Sequence, residues 1–180
     1  MKFELIIPSK HEYKNLLIIL PKLEYNKYNV TIIDNSQNVE FKKIETLKQK
    51  FKFKLLKQES SGKGNALREA VRKSESDIII FFDADLSHNP EDIKKFIKIF
   101  KKYKYIDHIG GSRMKGGSDE LYQDKAHLIR LLGSIVINIF INIKFGVFLT
   151  DSQNGFRAIK RKVFLKCLTK SKHTTIEMEL

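Results

Sequence analysis

Short apolar runs alternate along this chain with longer segments in which apolar residues recur every third or fourth position. Residues 3–7 read as a buried strand, and the segment 12–23 carries Leu16, Leu17, Ile19, Leu20 and Leu23 at helical spacing. Residues 30–33 predict a second strand ending at Asp34. Phe41, Ile44, Leu47 and Phe51 then mark an amphipathic helix ahead of a third strand over 53–56. A polar loop, Ser60-Ser61-Gly62-Lys63-Gly64, leads into a helix over 65–73. The near-continuous apolar run 77–82 suits a central parallel strand. Pro90 opens the next helix at the favoured first-turn position, Glu91 and Asp92 complement its dipole, and Ile93, Phe96, Ile97 and Phe100 form its apolar face. A strand over 106–110 and a helix over 125–143 complete the pattern.

Repeated strand-helix units predict an open, mainly parallel α/β sheet with helices on both faces and right-handed crossovers, with ligands beyond the carboxyl ends of the strands. Asp34, Asp83 and Arg113 each follow a strand end, which gathers three charged residues on one edge. The 180 residues fit one domain, 1–180, with no linker or internal repeat. Lysine and arginine outnumber aspartate and glutamate by 34 to 21, and the net charge of +13 favours anionic partners without choosing among nucleotides, nucleic acid and acidic headgroups. A lone cysteine, Cys167, excludes an intramolecular disulfide or a cysteine-rich zinc site and suits a reducing compartment. The first residues lack a signal-peptide pattern, so a cytoplasmic protein is expected. The most apolar stretch, 128–149, is interrupted by Arg130, Asn138, Asn142 and Lys144. A transmembrane span is therefore not expected, while contact with a membrane surface stays open.

Four groups of residues carry candidate chemistry. Asp83-Ala84-Asp85 presents two carboxylates where the most buried strand emerges, a pattern that suits a hard divalent cation shared with substrate phosphates; an Asp-rich turn capping the next helix is the plain alternative. Gly62-Lys63-Gly64 would let backbone amides approach an anion while Lys63 supplies charge, or is simply a surface loop. It lacks the spacing of a P-loop, and no dinucleotide fingerprint follows the first strand. Arg113, in the glycine-rich segment 110–117, offers a planar fork for phosphate oxygens, against a solvated turn. Ser134, Asn138 and Asn142, extended by Arg130, form a polar stripe on the helix 125–143. That stripe reads either as a groove for an anionic head with an apolar tail or as helix-to-helix hydrogen bonding.

Taken in order, these residues resemble the family 2 glycosyltransferases with the GT-A fold, and more narrowly the polyprenyl (dolichyl) phosphate sugar synthases. The resemblance runs through Ile7-Pro8-Ser9 with Glu12 and Asn15, Asp34-Asn35-Ser36, Gly62-Lys63-Gly64-Asn65-Ala66, DADLSHNPED from Asp83, and Gly111-Ser112-Arg113. It continues with Arg130, Ser134, Asn138 and Gly146, and then DSQNGFRAIKR from Asp151. It implies that Pro8, Glu12 and Asp34 frame the nucleoside, that Lys63 and Ala84 border the diphosphate, and that Asp83 and Asp85 hold Mg²⁺ or Mn²⁺ against it. It also implies that Arg113 and Arg130 bind donor or acceptor phosphates and that Asp151 faces the acceptor.

The implied activity is metal-dependent, inverting transfer of a hexose from GDP-mannose or UDP-glucose to a polyprenyl phosphate, by a protein peripheral to the cytoplasmic membrane face. Transfer to a sugar hydroxyl of a glycan, or an inactive nucleotide or nucleic-acid binding module, are the rival readings; no nucleic-acid partner is expected. Asn35 departs from the family's second aspartate, and the glycine that follows it there is missing. The last residues, Glu177-Met178-Glu179-Leu180, resemble the acidic helix start of longer relatives, so the chain is expected to lack their C-terminal part.

Overall fold

The computed structural model describes residues 1–112, 125–146, 149–167, 171, 172 and 176, and of residues 125–132 the backbone alone. Six strands form one sheet: β1 (Phe3–Ser9), β2 (Asn29–Asp34), β3 (Lys54–Lys57), β4 (Ile78–Phe81), β5 (His108–Gly110) and β6 (Arg157–Lys160). Their spatial order is β3-β2-β1-β4-β6-β5. The first four neighbours run parallel, whereas β6 is antiparallel to both β4 and β5. The helices are α1 (Tyr13–Ile19), α2 (Asn38–Thr46), α3 (Lys63–Arg72), α4 (Ile93–Lys102), α5 (Lys125–Phe145) and α6 (Arg161–Lys166).

Alternation along each strand divides the core into two layers. Leu5, Ile7, Ile32, Ile78, Ile80 and Phe82 point to one face, where they meet Leu16 and Leu20, Ile44, and Phe96 and Phe100. Ile6, Ile33, Ile79 and Phe81 point to the other, against Leu67, Ala70 and Val71 of α3 and Phe164 of α6. Both faces of β1 and β4 are covered, so their sequences are almost wholly apolar. Each of these buried Ile, Leu and Phe side chains contributes roughly 1.5–3 kcal/mol relative to exposure.

The expected α/β order is present, with local differences that have physical causes. The first two expected helices end in tight 3₁₀ turns, Leu20–Lys22 and Leu47–Gln49, the former around Pro21. The helix expected to start at Pro90 begins as a 3₁₀ turn, Pro90–Asp92, whose N-cap is Asn89 with its side chain accepting the Glu91 N–H at 3.0 Å. The expected strand 106–110 shortens to β5. Strand β6, inside the motif that starts at Asp151, was not expected from the sequence; pairing with β4 over Phe81↔Arg157 to Ile78↔Lys160 makes it a strand.

Candidate active site

The parallel strands β1 and β2 end side by side, with Ser9 opposite Asp34, and β3 ends with Lys57 opposite Asp34. Beyond these ends lies a cavity of about 560 Å³ lined by Pro8, Ser9, Glu12, Asn35, Gln58 and Lys63, with Asp83, Ala84 and Asp85 on the β4 side. The fold thus brings together Pro8, Glu12, Lys63, Asp83, Ala84 and Asp85 from three separate segments of sequence. Asp34, expected to frame the nucleoside, ends β2 at this same edge. Its carboxylate is fully buried and accepts the Ser36 N–H at 2.9 Å and the Ser36 hydroxyl at 2.9 Å, so it shapes the loop after β2 and does not line the cavity. Asn35, the next residue, lines it instead.

Two lining residues, Ser9 and Gln58, carry no predicted role in sequence. The Ser9 hydroxyl is buried and has no hydrogen-bond partner among the described residues. Gln58 donates from its side-chain amide to the carbonyls of Ser60 and Gly62, and so folds the loop ahead of Lys63. Their common signal is position at a strand's carboxyl end, which pattern reading can supply once register is known. Gly62 caps α3 at φ +101°, a conformation that only glycine adopts without strain.

Lys63, the first residue of α3, reaches across the cavity to Asp83: its Nζ lies 2.6 Å from Oδ1 and 2.8 Å from Oδ2. Asp85 is arranged differently. Its Oδ1 accepts the Ser87 N–H at 3.0 Å and the Ser87 hydroxyl at 2.6 Å, an Asx-type turn that carries Leu86 at φ +66°. Burial opposes ionisation of Asp85, but the two Ser87 hydrogen bonds and the positive charges of His88 and Lys63 outweigh it and hold the carboxyl below its ordinary range. His88 stacks on Phe156 at 5.1 Å between ring centres, and Phe156 meets Phe82 edge-on at 5.5 Å and Phe96 at 4.6 Å. The acidic turn is therefore clamped onto the residue preceding β6 by aromatic packing.

Among the described residues, no three or more His, Cys, Asp or Glu side chains group to hold a metal. A pair of carboxylates lining a cavity is nonetheless a suitable partial set for a hard cation whose remaining ligands are phosphate and water oxygens, and among the described residues Asp85 Oδ2 accepts no hydrogen bond. The residues present fit a divalent metal bound together with a diphosphate.

The other side of the sheet's carboxyl edge is built from α5 and the loop 149–156. Among the described side chains, the polar stripe of α5 hydrogen-bonds this loop. The Ser134 hydroxyl donates to Gln153 Oε1 at 3.1 Å. Asn138 accepts the Ser152 N–H at 2.9 Å and donates to the Thr150 carbonyl at 3.0 Å, and Asn142 pairs with both backbone groups of Leu149. Arg157, 3% exposed, donates to the carbonyls of Ser152 and Asn154. Asp151 lies within this pinned loop and is buried. Gly111 follows β5 so closely that a Cβ would meet the Phe156 carbonyl at 2.8 Å, which explains a glycine there. Arg113 lies outside the described residues, as does the Arg130 side chain, whose backbone is in α5.

An open sheet of this strand order, with an acidic pair beyond its central strand and a cavity beside it, is the GT-A architecture of the glycosyltransferases. Residues 4–168 match the model of the glycosyl transferase family 2, and the chain belongs to that family. It is 28% identical over 173 residues to the dolichol-phosphate mannosyltransferase of Pyrococcus furiosus, a match covering 91% of this chain and 47% of that one. It is also 28% identical over 185 residues to the UDP-N-acetylglucosamine–dolichyl-phosphate N-acetylglucosaminyltransferase of Methanococcus voltae, covering 92% and 71%. The chain thus spans about half the length of the Pyrococcus relative. Glucosyl-3-phosphoglycerate synthase from Mycobacterium tuberculosis, solved with Mn²⁺, UDP-glucose and phosphoglyceric acid, superposes with a TM-score of 0.72 at 14% identity over 98% of this chain and 62% of that one; this likeness is one of fold.

Proposed function

We propose that this domain transfers a hexose from a nucleoside diphosphate sugar to a polyprenyl or dolichyl phosphate, with inversion at the anomeric carbon. The observation that carries the reading is the cavity in which Lys63, Asp83 and Asp85 converge at the carboxyl edge of the sheet. The acceptor class is supported by the two relatives named for dolichyl phosphate. GDP-mannose and UDP-glucose are the candidate donors, with Pro8, Glu12, Ser9 and Asn35 bordering the nucleoside.

In the reaction, the bond from the anomeric carbon to the donor diphosphate breaks and a bond to an acceptor phosphate oxygen forms, and the nucleoside diphosphate leaves. A Mg²⁺ or Mn²⁺ held by Asp83 and Asp85 would supply Lewis-acid stabilisation of the departing diphosphate; the Mn²⁺ of the mycobacterial neighbour supports that choice. Lys63 adds a positive charge on the same side. Asp85 enters the site ionised, because Ser87 holds its carboxylate by two hydrogen bonds. A phosphate monoester has a second pKa of about 6, so the acceptor is already an anion near neutral pH and needs positioning more than deprotonation. Arg113 and Arg130 take that positioning role, and Asp151 acts through the pinned loop.

Association with a membrane surface belongs to the same proposal. Val136, Ile139, Phe140 and Ile143 are exposed along α5, on the side opposite the stripe that holds the loop. Lys144 lies over the Phe140 and Phe145 rings, at 5.7 and 5.4 Å. Exposed apolar residues beside a lysine suit an interfacial helix, and among the described residues no helix is long and apolar enough to cross a membrane.

The test is transfer from radiolabelled GDP-mannose and UDP-glucose to a short-chain polyprenyl phosphate, with and without Mn²⁺. Turnover that needs the metal, is lost in Asp85→Ala and survives in Asp151→Asn supports the reading. Loss of turnover with intact donor binding in Asp151→Asn would move the acceptor to a sugar hydroxyl, with Asp151 as its base.

A further inference from the structure

We propose that Lys63 keeps the metal-binding carboxylate Asp83 closed until a nucleoside diphosphate arrives, so that metal and nucleotide bind synergistically. The inference rests on the reading of the cavity as a diphosphate and metal site. Lys63 Nζ contacts both oxygens of Asp83, at 2.6 and 2.8 Å, and each of the two side chains is 20% exposed. A dication ligated by those oxygens would sit next to the ammonium, and two positive charges a few ångströms apart in a half-buried cleft repel strongly. The pair and the metal therefore compete for the same carboxylate.

The site's second carboxylate feels the charges of Lys63 and His88 only from beyond ion-pair distance. Asp85 is held by Ser87 through Oδ1 alone, with no cation within ion-pair distance among the described residues. The asymmetry gives Asp85 the role of a preset ligand and Asp83 that of a gated one.

A diphosphate in the cavity changes the balance. Lys63 is the first residue of α3, a helix of 10 residues, and both it and Gly62 at the helix N-cap line the cavity. Phosphate oxygens there offer the ammonium a partner carrying more charge than one carboxylate, in the favourable field of the helix N-terminus. Turning Lys63 toward the phosphate frees Asp83 for the metal, and the metal in turn neutralises the phosphate. Each ligand thereby raises the affinity of the other by the same factor. The consequence for the enzyme is a site that does not assemble its charge until the donor is in place.

Titration calorimetry with Mn²⁺ alone, UDP or GDP alone, and Mn²⁺ in the presence of saturating UDP or GDP tests the proposal on the intact chain. In the wild type, the nucleotide is expected to tighten Mn²⁺ binding by roughly tenfold or more. In Lys63→Met, Mn²⁺ alone should bind roughly tenfold more tightly than to the wild type, and the synergy should shrink. A residue with only a structural role would weaken metal binding when lost, so the direction of change is diagnostic. Lys63→Arg, which keeps the charge, should behave as the wild type does. Mn²⁺ affinity that is indifferent to nucleotide in the wild type, or unchanged in Lys63→Met while nucleotide still binds, overturns the gate and leaves the proposed function standing. Failure of both UDP and GDP to bind under any condition overturns the reading of the cavity, and the gate with it.

Discussion

The two halves of the sheet's carboxyl edge are built on opposite plans. On the β1-β2-β3 side, apolar residues face inward, the strands run parallel, and polar side chains gather beyond the strand ends around an open cavity. On the β6-β5 side, the polar groups are inside. Asn138 of α5 and, in and beside the loop it holds, Asp151, Asn154 and Arg157 are buried, while Val136, Phe140 and Ile143 of α5 face outward. The first half follows the usual division of core and surface and presents an open, polar-lined site. The second holds its loop by hydrogen bonds and turns its hydrophobic surface away from its own core, which suits a half that meets a lipid.

Arg157 is the sharpest way to break that contrast. Replacing it by leucine removes the donors to the Ser152 and Asn154 carbonyls, leaving buried acceptors unpaired. A loss of about 3–5 kcal/mol is expected by urea denaturation, with the β6-β5 side opening first in hydrogen exchange. An equal loss of protection around β1 and β2 would show that the halves are not separable.

Next in size is a pH effect. Burial, reinforced by the charge of Arg157, lowers the His108 pKa to about 4, and its Nε2 has no partner among the described residues. The unfolded chain takes up a proton near pH 6.5 and the folded chain does not. Stability from this residue is therefore complete above pH 6.5 and declines as pH falls toward 4, by up to about 3 kcal/mol. The slope should disappear in His108→Leu, followed by thermal unfolding across that range.

Asn138→Ala should cost about 1–3 kcal/mol, because it leaves the Ser152 N–H and the Thr150 carbonyl without their partner. It should also raise the KM for the acceptor more than for the donor. Smallest in stability is Phe140→Ser, expected within about 0.5 kcal/mol of the wild type because the ring is already exposed. Its effect belongs elsewhere: weaker binding to phospholipid vesicles in flotation. Unchanged vesicle binding would remove the membrane from the contrast.

The same contrast governs what could be read in the sequence. The parallel half was legible because its buried strands and amphipathic helices repeat a simple period, and because Asp83, Asp85 and Lys63 stand at loop positions where a fold of this kind gathers ligands. Asp34 also ends a strand, but its hydrogen bonds from Ser36 two residues later could not be read from the period. Strand β6 and the loop before it were not legible. An antiparallel return strand has no signature of its own in residues 157–160, and the polar stripe of α5 gains its meaning only from a loop that follows it in the chain. The resemblance to a family supplied Asp151 as a residue of interest, but not the network that buries it.

The central claim is that the cavity binds a nucleotide sugar through a metal held by Asp83 and Asp85. Calorimetric titration of GDP-mannose and UDP-glucose into the protein, with Mn²⁺ and after its removal by chelation, tests it most directly. Saturable binding of at least one donor that requires Mn²⁺ and is lost in Asp85→Ala is expected. Binding indifferent to both the metal and Asp85, or no binding of any donor, would contradict it.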